Sequence, residues 1–150
     1  MSSVAAGPSA SSMRRVALTS LAGTSIEWFD FFLYGTAAAL VFPTVFFSET
    51  MPPFVALIAS FSTFAVGFIA RPIGGIVFGH FGDRVGRKSA LVTALVMMGV
   101  ATTLIGCLPT YVMIGATAPL LLIILRFVQG LAVGGQWGGA MLLVTENAPP

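Results

Sequence analysis

Ionisable side chains interrupt the long apolar stretches of this sequence at a few well-spaced positions. Glu27, Asp30 and Tyr34 are spaced i, i+3 and i+7, so on a helix they share one face. Arg71 and Arg126 lie inside two other apolar stretches. A charged side chain at the centre of a bilayer costs at least ~2.5–3.5 kcal/mol, so we expect these residues to face other helices or a cavity. Such groups can carry a proton or bind a small charged molecule.

The composition places most of the chain in a lipid bilayer. Apolar residues make up 57% of the chain and charged residues only 8%, whereas soluble domains carry about 25% charged residues. The net charge is only +2 and the basic residues are dispersed, which excludes a nucleic-acid partner. One cysteine (Cys107) and one histidine (His80) provide neither a metal site nor a nucleophile–base pair. The sequence therefore predicts no metal, no cofactor and no enzyme activity.

Four apolar stretches are each long enough to cross a bilayer, which takes about 20 residues. The sequence predicts an all-α integral membrane protein with transmembrane helices at about 18–42, 54–79, 89–108 and 119–144. Residues 1–15, rich in Ser, Ala and Gly, are predicted to form a disordered cytoplasmic tail, and residues 16–150 to form the helices.

The basic residues predict the orientation of these helices, because Lys and Arg accumulate on the cytoplasmic side of membrane proteins. Arg14 and Arg15 precede the first span, and Arg84, Arg87 and Lys88 lie between the second and third spans. With four spans, all five fall on one side. We therefore expect a multi-pass protein of the plasma (inner) membrane with a cytoplasmic amino terminus.

Depth in the membrane predicts which charged residues can pair. With a rise of about 1.5 Å per residue, Glu27 lies ~14 Å and Arg71 ~12–14 Å from the cytoplasmic side. Asp30 lies ~18 Å and Arg126 ~20 Å from the same side. Two pairs are possible on this basis, Glu27 with Arg71 and Asp30 with Arg126. Each pair could lock two helices together or take part in transport near the midplane.

Span four carries two further kinds of feature. Gln129 and Gln136 are seven residues apart, so they share a face near Arg126 and are candidate site residues. Glycines at four-residue spacing allow helix backbones to approach closely, and we interpret them as packing surfaces. They are Gly130, Gly134 and Gly138 on span four, and Gly67, Gly75 and Gly79 on span two.

The basic stretch from Gly79 to Leu91, expected to be a tight loop, resembles the signature loop of the major facilitator superfamily, G-x-x-x-D-R-x-G-R-R/K. The matching positions are Gly79, Gly82, Asp83, Arg84, Gly86, Arg87, Lys88 and Leu91. In that superfamily the charges of this loop hold the cytoplasmic sides of the two halves together and influence gating. The resemblance implies that these residues form a gating loop, with this role for Asp83, Arg84 and Arg87.

Other segments look like the metabolite:proton symporter branch of the superfamily. They are Glu27–Gly35, Ala70–Gly75, Arg126–Gly130 and Gly134–Gly139, and Phe78–Arg84 is similar to shikimate-type members. The resemblance implies a secondary active transporter that takes up a small polar metabolite or organic acid with a proton. Its four spans would belong to the amino-terminal six-helix half of a major facilitator fold. An amide stands at Gln136, where the branch often has Glu.

The superfamily has twelve spans, whereas this sequence provides four. We therefore expect either an amino-terminal fragment, whose partner is the remainder of the transporter, or the product of a truncated gene. In a transporter Asp30 would accept the proton, and Arg126 would pair with it or bind an anionic substrate. The alternative is a non-transporting four-helix membrane module that acts by helix association through its glycine faces.

Overall fold

The computed structural model describes residues 10–147, and this part of the chain is entirely helical apart from its turns. Four long helices form the fold: α1 (Ala10–Leu40), α3 (Pro53–Val85), α4 (Arg87–Gly106) and α6 (Thr117–Asn147). Two short helices, α2 (Phe42–Val45) and α5 (Tyr111–Ile114), lie in the connections after α1 and α4. Helix α1 begins at Ala10, inside the predicted tail of residues 1–15, and residues 1–9 lie outside the described part.

Three helices in the described part of the chain are long and apolar enough to cross a membrane. They are α3, α4 and the Thr117–Gly138 part of α6, with mean hydropathies of 2.0, 1.9 and 1.8. Helix α1 has sufficient length, but Glu27, Asp30 and several Gly, Ser and Thr residues lower its hydropathy. The all-helical membrane fold is therefore confirmed with three candidate spans, and the fourth span stays a prediction.

The connection between α3 and α4 differs from the predicted loop. Helix α3 continues to Val85 and α4 begins at Arg87, so only Gly86 separates them. Gly86 has a φ of +102°, which L side chains rarely adopt. Its N–H donates to the carbonyl oxygen of Gly82 at 2.9 Å. The stretch that carries the superfamily motif is therefore two helix ends joined by one glycine, because this φ lets the chain turn without a loop.

Helices α3 and α6 form the closest pair in the structure, and glycines lie at their contact. A Cβ atom on Gly130 would overlap the carbonyl oxygen of Gly67, and one on Gly134 would overlap the carbonyl oxygen of Arg71. Backbone therefore lies directly against backbone, as the small-residue spacing predicts.

The predicted glycine ladder is longer than the actual contact. Gly74, which lies outside the predicted ladder, faces the backbone of Leu131 so closely that a Cβ atom would overlap it. At Gly79 and Gly138, by contrast, an added methyl group would meet no neighbouring atom within 4 Å. The tight part of the α3–α6 contact therefore lies in the middle of the two helices.

A cluster of buried apolar residues closes the end of the bundle near α2. It contains Tyr34, Ala38, Phe42, Phe46, Phe47, Ala56, Ile105, Ala118 and Leu122. The Ser60 hydroxyl on α3 donates to the carbonyl oxygen of Ala38 on α1 at 2.6 Å. This cluster and bond hold the second half of α1 against α3, next to the polar residues described below.

Substitution of a contact glycine should destabilise the bundle. Gly134→Ala places a methyl group against the Arg71 carbonyl, and overpacking of this kind costs about 1–3 kcal/mol. Gly138→Ala is the matched control, because its methyl group enters open space on the same helix. Thermal unfolding in detergent, followed by circular dichroism, should show a lower melting temperature for Gly134→Ala alone. Equal melting temperatures for the two variants would contradict the contact.

Candidate functional site

Asp30 is the centre of a buried polar cluster formed by three helices. This residue on α1 is only 8% exposed. The Thr102 hydroxyl on α4 donates to Oδ1 at 3.0 Å, and the Gln129 amide on α6 donates to Oδ2 at 2.7 Å. Arg126 Nη1 lies 3.8 Å from Oδ2. The carboxylate thus receives donors from two helices and lies within ion-pair distance of a cation, as a buried charge requires.

Gln129 connects the cation with the anion. Its Oε1 accepts a hydrogen bond from Arg126 Nη1 at 2.6 Å, while its Nε2 donates to Asp30. The same Nε2 donates to the Thr102 hydroxyl oxygen at 2.8 Å. Gln129 is only 1% exposed, and these three hydrogen bonds hold its amide in place.

Arg126 is enclosed by aromatic rings. The centre of its guanidinium lies 3.7 Å from the ring centroid of Tyr34 and 5.0 Å from that of Phe64. A cation over a ring face is attracted by the negative face of the π system. The Tyr34 hydroxyl is bonded to the Thr63 hydroxyl at 2.8 Å, which fixes the ring. Arg126 Nε is buried, and no described residue forms a hydrogen bond with it.

Glu27 does not form the predicted ion pair with Arg71. The indole Nε1 of Trp137 donates to both carboxylate oxygens of Glu27 at 2.7 Å. The Arg71 guanidinium lies instead over the Phe68 ring, 4.5 Å from its centroid. Both residues line one cavity, but their side chains contact other partners, Trp137 and Phe68.

Two cavities meet at Asp30. A narrow one is lined by charged residues and glycines, namely Glu27, Asp30, Phe31, Gly67, Arg71, Arg126, Gly130 and Val133. The other has a volume of about 720 Å³ including its open mouth, and apolar residues such as Phe42 and Ile105 line most of it. Asp30, Thr102 and Gln129 line its polar end. The carboxylate therefore lies at the boundary between a polar and an apolar space.

Gln136 lies outside this cluster. It is 3% exposed, its Oε1 has no partner among the described residues, and it lines neither cavity described above. Two helical turns, about 10 Å, separate it from Gln129. Its Nε2 lies 3.0 Å from the position of a Cβ atom on Gly23, so the amide packs between α6 and α1.

The predicted gating residues form a separate group at the α3–α4 turn. Arg87 Nη2 lies 3.8 Å from Asp83 Oδ1, in an i, i+4 pair that is partly open to solvent. Gly82 is buried beneath the turn, and a Cβ atom added to it would lie 3.5 Å from the Cβ atom of Ala90. The other predicted members, Gly79, Arg84, Gly86 and Lys88, are exposed.

Two residues that contact the acids were not predicted from the sequence. Thr102 lies in a charge-free span, where nothing distinguishes it from Thr103. Trp137 follows Gln136 in a motif stretch, and its polar N–H on an apolar ring was the available signal, although the side chain is largely exposed. The rotation of α4 about its axis decides the contact of Thr102 with Asp30, and the rotation of α6 decides that of Trp137 with Glu27.

The fold and the buried cluster define a multi-pass helical membrane protein. The chain belongs to the Sugar (and other) transporter family of the major facilitator superfamily, whose family model matches residues 16–150. This confirms the superfamily that the motif around Asp83 indicated. The family consists of transporters, in agreement with the prediction that the chain is not an enzyme.

Three relatives from Escherichia coli K12 are named as transporters of metabolites. The chain is 58% identical over 139 residues to the inner membrane metabolite transport protein YhjE, covering 93% of this chain and 31% of the relative. It is 55% identical over 141 residues to the shikimate transporter, covering 94% and 32%. It is 40% identical over 137 residues to the proline/betaine transporter, covering 91% and 27%. The chain thus spans about a third of these relatives, and no solved structure matches it significantly.

A double-mutant cycle should reveal the coupling between Asp30 and Arg126. Arg126→Ala leaves a buried carboxylate without its cation, a change that costs about 3–5 kcal/mol. Asp30→Asn in the same chain removes the unpaired charge, so the double variant should be more stable than Arg126→Ala alone. Melting temperatures in detergent measure the effect.

Arg71→Ala provides the control for this cycle. Because Arg71 makes no ion pair with Asp30 among the described residues, the cycle of Arg71→Ala with Asp30→Asn should show a smaller coupling energy than the Arg126 cycle. Equal coupling energies in the two cycles would show that the 3.8 Å pair carries no specific coupling.

Proposed function

We propose that this chain is the amino-terminal part of a secondary active transporter that takes up a small polar metabolite or organic acid together with a proton. Helices α1, α3, α4 and α6 are its first four transmembrane spans, and the amino terminus lies in the cytoplasm. The observation that carries the proposal is the buried Asp30 carboxylate at the boundary of two cavities, 3.8 Å from a guanidinium. The transporter names of the relatives support it.

Protonation of Asp30 would change the forces on the cluster. The ionised carboxylate attracts Arg126 across 3.8 Å, whereas the neutral acid does not. A substrate carboxylate could then take the place of the Asp30 charge beside Arg126, whose buried Nε lacks a partner among the described residues. Shikimate, proline and betaine, which two relatives are named for, all carry a carboxylate. This supports an anionic or zwitterionic substrate that bears this group.

The α3–α4 turn has a second role in this proposal. The exposed charges of Asp83 and Arg84 and the partly exposed charge of Arg87 lie at one end of the bundle, away from Asp30. An exposed ion pair contributes little to stability, typically about 0–1 kcal/mol. We therefore assign these charges a role in contacts with the other half of the transporter at the cytoplasmic side. These contacts would form and break as the two halves move.

Accessibility labelling tests the four-span topology. In a Cys107→Ser background, a cysteine at Ser48 should react with an impermeant thiol reagent added outside intact cells, and one at Ser89 should not. Native Cys107 is exposed at the opposite end of α4 from Ser89, so it should react from outside as well. Equal labelling at Ser48 and Ser89 would contradict the topology.

Transport assays test the proton coupling. In a chimera in which this chain replaces the matching segment of the E. coli shikimate transporter, Asp30→Asn should abolish shikimate accumulation driven by a pH gradient. Shikimate counterflow should survive, because the neutral amide resembles the protonated acid. Rates are measured in cells or vesicles, with expression levels determined in parallel.

Glu49→Gln is the control for Asp30→Asn, because Glu49 is an exposed acid in the turn after α2, so accumulation should persist. If Asp30→Asn retains pH-driven accumulation, Asp30 is not the coupling residue and Glu27 is the next candidate. A parent chimera that inserts in the membrane but moves no shikimate would favour the helix-association module.

A further inference from the structure

The Thr102 hydroxyl has more hydrogen-bond acceptors within reach than it has protons. Its Oγ1 lies 3.0 Å from Asp30 Oδ1 and 2.9 Å from the carbonyl oxygen of Met98, one turn earlier on α4. It also accepts a hydrogen bond from Gln129 Nε2 at 2.8 Å. A hydroxyl has one proton and two lone pairs. It can therefore donate to Asp30 or to Met98, but not to both at once.

The other hydrogen-bond donors around Thr102 already have acceptors, so few other hydrogen-bond patterns are possible. The two protons of Gln129 Nε2 go to Asp30 Oδ2 and Thr102 Oγ1, and Gln129 Oε1 accepts from Arg126. One lone pair of Thr102 is thus occupied by Gln129 and the other is available. Because Oδ1 is the Asp30 oxygen that faces Thr102, the protonation state of Asp30 decides where the hydroxyl proton points.

We propose that Thr102 is a positioning residue whose hydroxyl switches acceptor with the protonation of Asp30, and this inference rests on the proposed role of Asp30 as proton acceptor. With Asp30 ionised, the Thr102 hydroxyl donates to Oδ1. When a proton from water binds to Oδ1, the new acid O–H donates to the free lone pair of Thr102, and the Thr102 proton turns to the Met98 carbonyl. Thr102 keeps its own proton throughout, so only one proton is taken up.

The switch keeps α1 joined to α4 in both states, since the hydrogen bond between Asp30 and Thr102 reverses its direction without breaking. The electrostatic attraction between Asp30 and Arg126, by contrast, exists only in the ionised state. Proton binding therefore weakens the tie between α1 and α6 selectively, and every polar atom of Thr102 and Gln129 stays bonded. A buried acid that changes charge needs such a partner, because an unbonded polar group in lipid is costly.

Other charged and titratable groups also face Asp30 from the helices packed around it. Glu27 and Tyr34 lie on α1, Arg71 on α3 and Arg126 on α6. They are the same in every variant at position 102, so differences between those variants report on the hydroxyl.

The chain provides a matched control next to the switch residue. Thr103 makes the same kind of bond to the preceding turn, from its hydroxyl to the Gly99 carbonyl at 2.8 Å, but its side chain is exposed. Thr103→Val therefore removes an equivalent hydroxyl from α4 without touching Asp30. Thr102→Ser retains a hydroxyl at the switch position, and Thr102→Val replaces it with a methyl group of similar volume.

Infrared titration of the full chain in lipid nanodiscs tests the proposal. The C=O stretch of protonated Asp30 is isolated by subtracting the spectra of Asp30→Asn over the same pH range. In Thr102→Val this band should move to higher frequency, because the acid O–H loses the acceptor that Thr102 provides. Thr103→Val and Thr102→Ser should leave the band frequency near the parent value.

The outcomes separate this inference from the proposed function. A Thr102→Val protein that is less stable but has the parent band frequency would show that Thr102 is only structural, which overturns the switch. A shift in Thr103→Val as large as that in Thr102→Val would overturn it too, because the effect would not be specific. Retained pH-driven accumulation by the Asp30→Asn chimera, in contrast, would overturn the coupling role while the infrared result still stood.

Discussion

A buried carboxylate is withdrawn from water, so it must find its hydrogen-bond partners in the protein. Asp30 does so through Thr102 on α4 and through Gln129 and Arg126 on α6. Helix α1 has a less extensive contact with the other long helices than α6 has with α3 and α4. The polar bonds of Asp30, together with those between Glu27 and Trp137, therefore account for much of what fixes the rotation of α1.

The glycines that allow α3 and α6 to approach closely also leave space for the Arg126 side chain of this cluster. Gly67 faces Gly130 at the backbone contact, and a Cβ atom on Gly67 would also lie 2.7 Å from Arg126 Nε. The same glycine thus allows two helices to touch and allows the guanidinium to pass between them toward Tyr34. Packing and site geometry therefore depend on the same small residue. The absence of a side chain at Gly67 provides the space that the buried Arg126 guanidinium of α6 occupies.

The sequence was sufficient for those features that depend only on helix rise and charge distribution. Matched depth predicted that Asp30 and Arg126 could meet, and they lie 3.8 Å apart. The same reasoning paired Glu27 with Arg71, yet Glu27 bonds to Trp137. Depth leaves the rotation of each helix about its axis open, and this rotation decides which neighbour a side chain meets. The contact of Thr102 could not be predicted for the same reason, nor could the one-residue turn at Gly86, which depends on a backbone angle.

In the proposed mechanism, the amide of Gln129 allows the central pair to respond to a proton. A direct contact between a guanidinium and a carboxylate is usually about 2.7–2.9 Å long and strongly favours the charged form. Here the charges are 3.8 Å apart and the amide bonds to both. Its N–H can donate to a carboxylate or to the carbonyl oxygen of a neutral acid, so it fits Asp30 in either state. Arg126 is bonded to Gln129 and stacked on Tyr34, and neither contact depends on the charge of Asp30, so in the proposed mechanism the guanidinium would stay in position for a substrate anion.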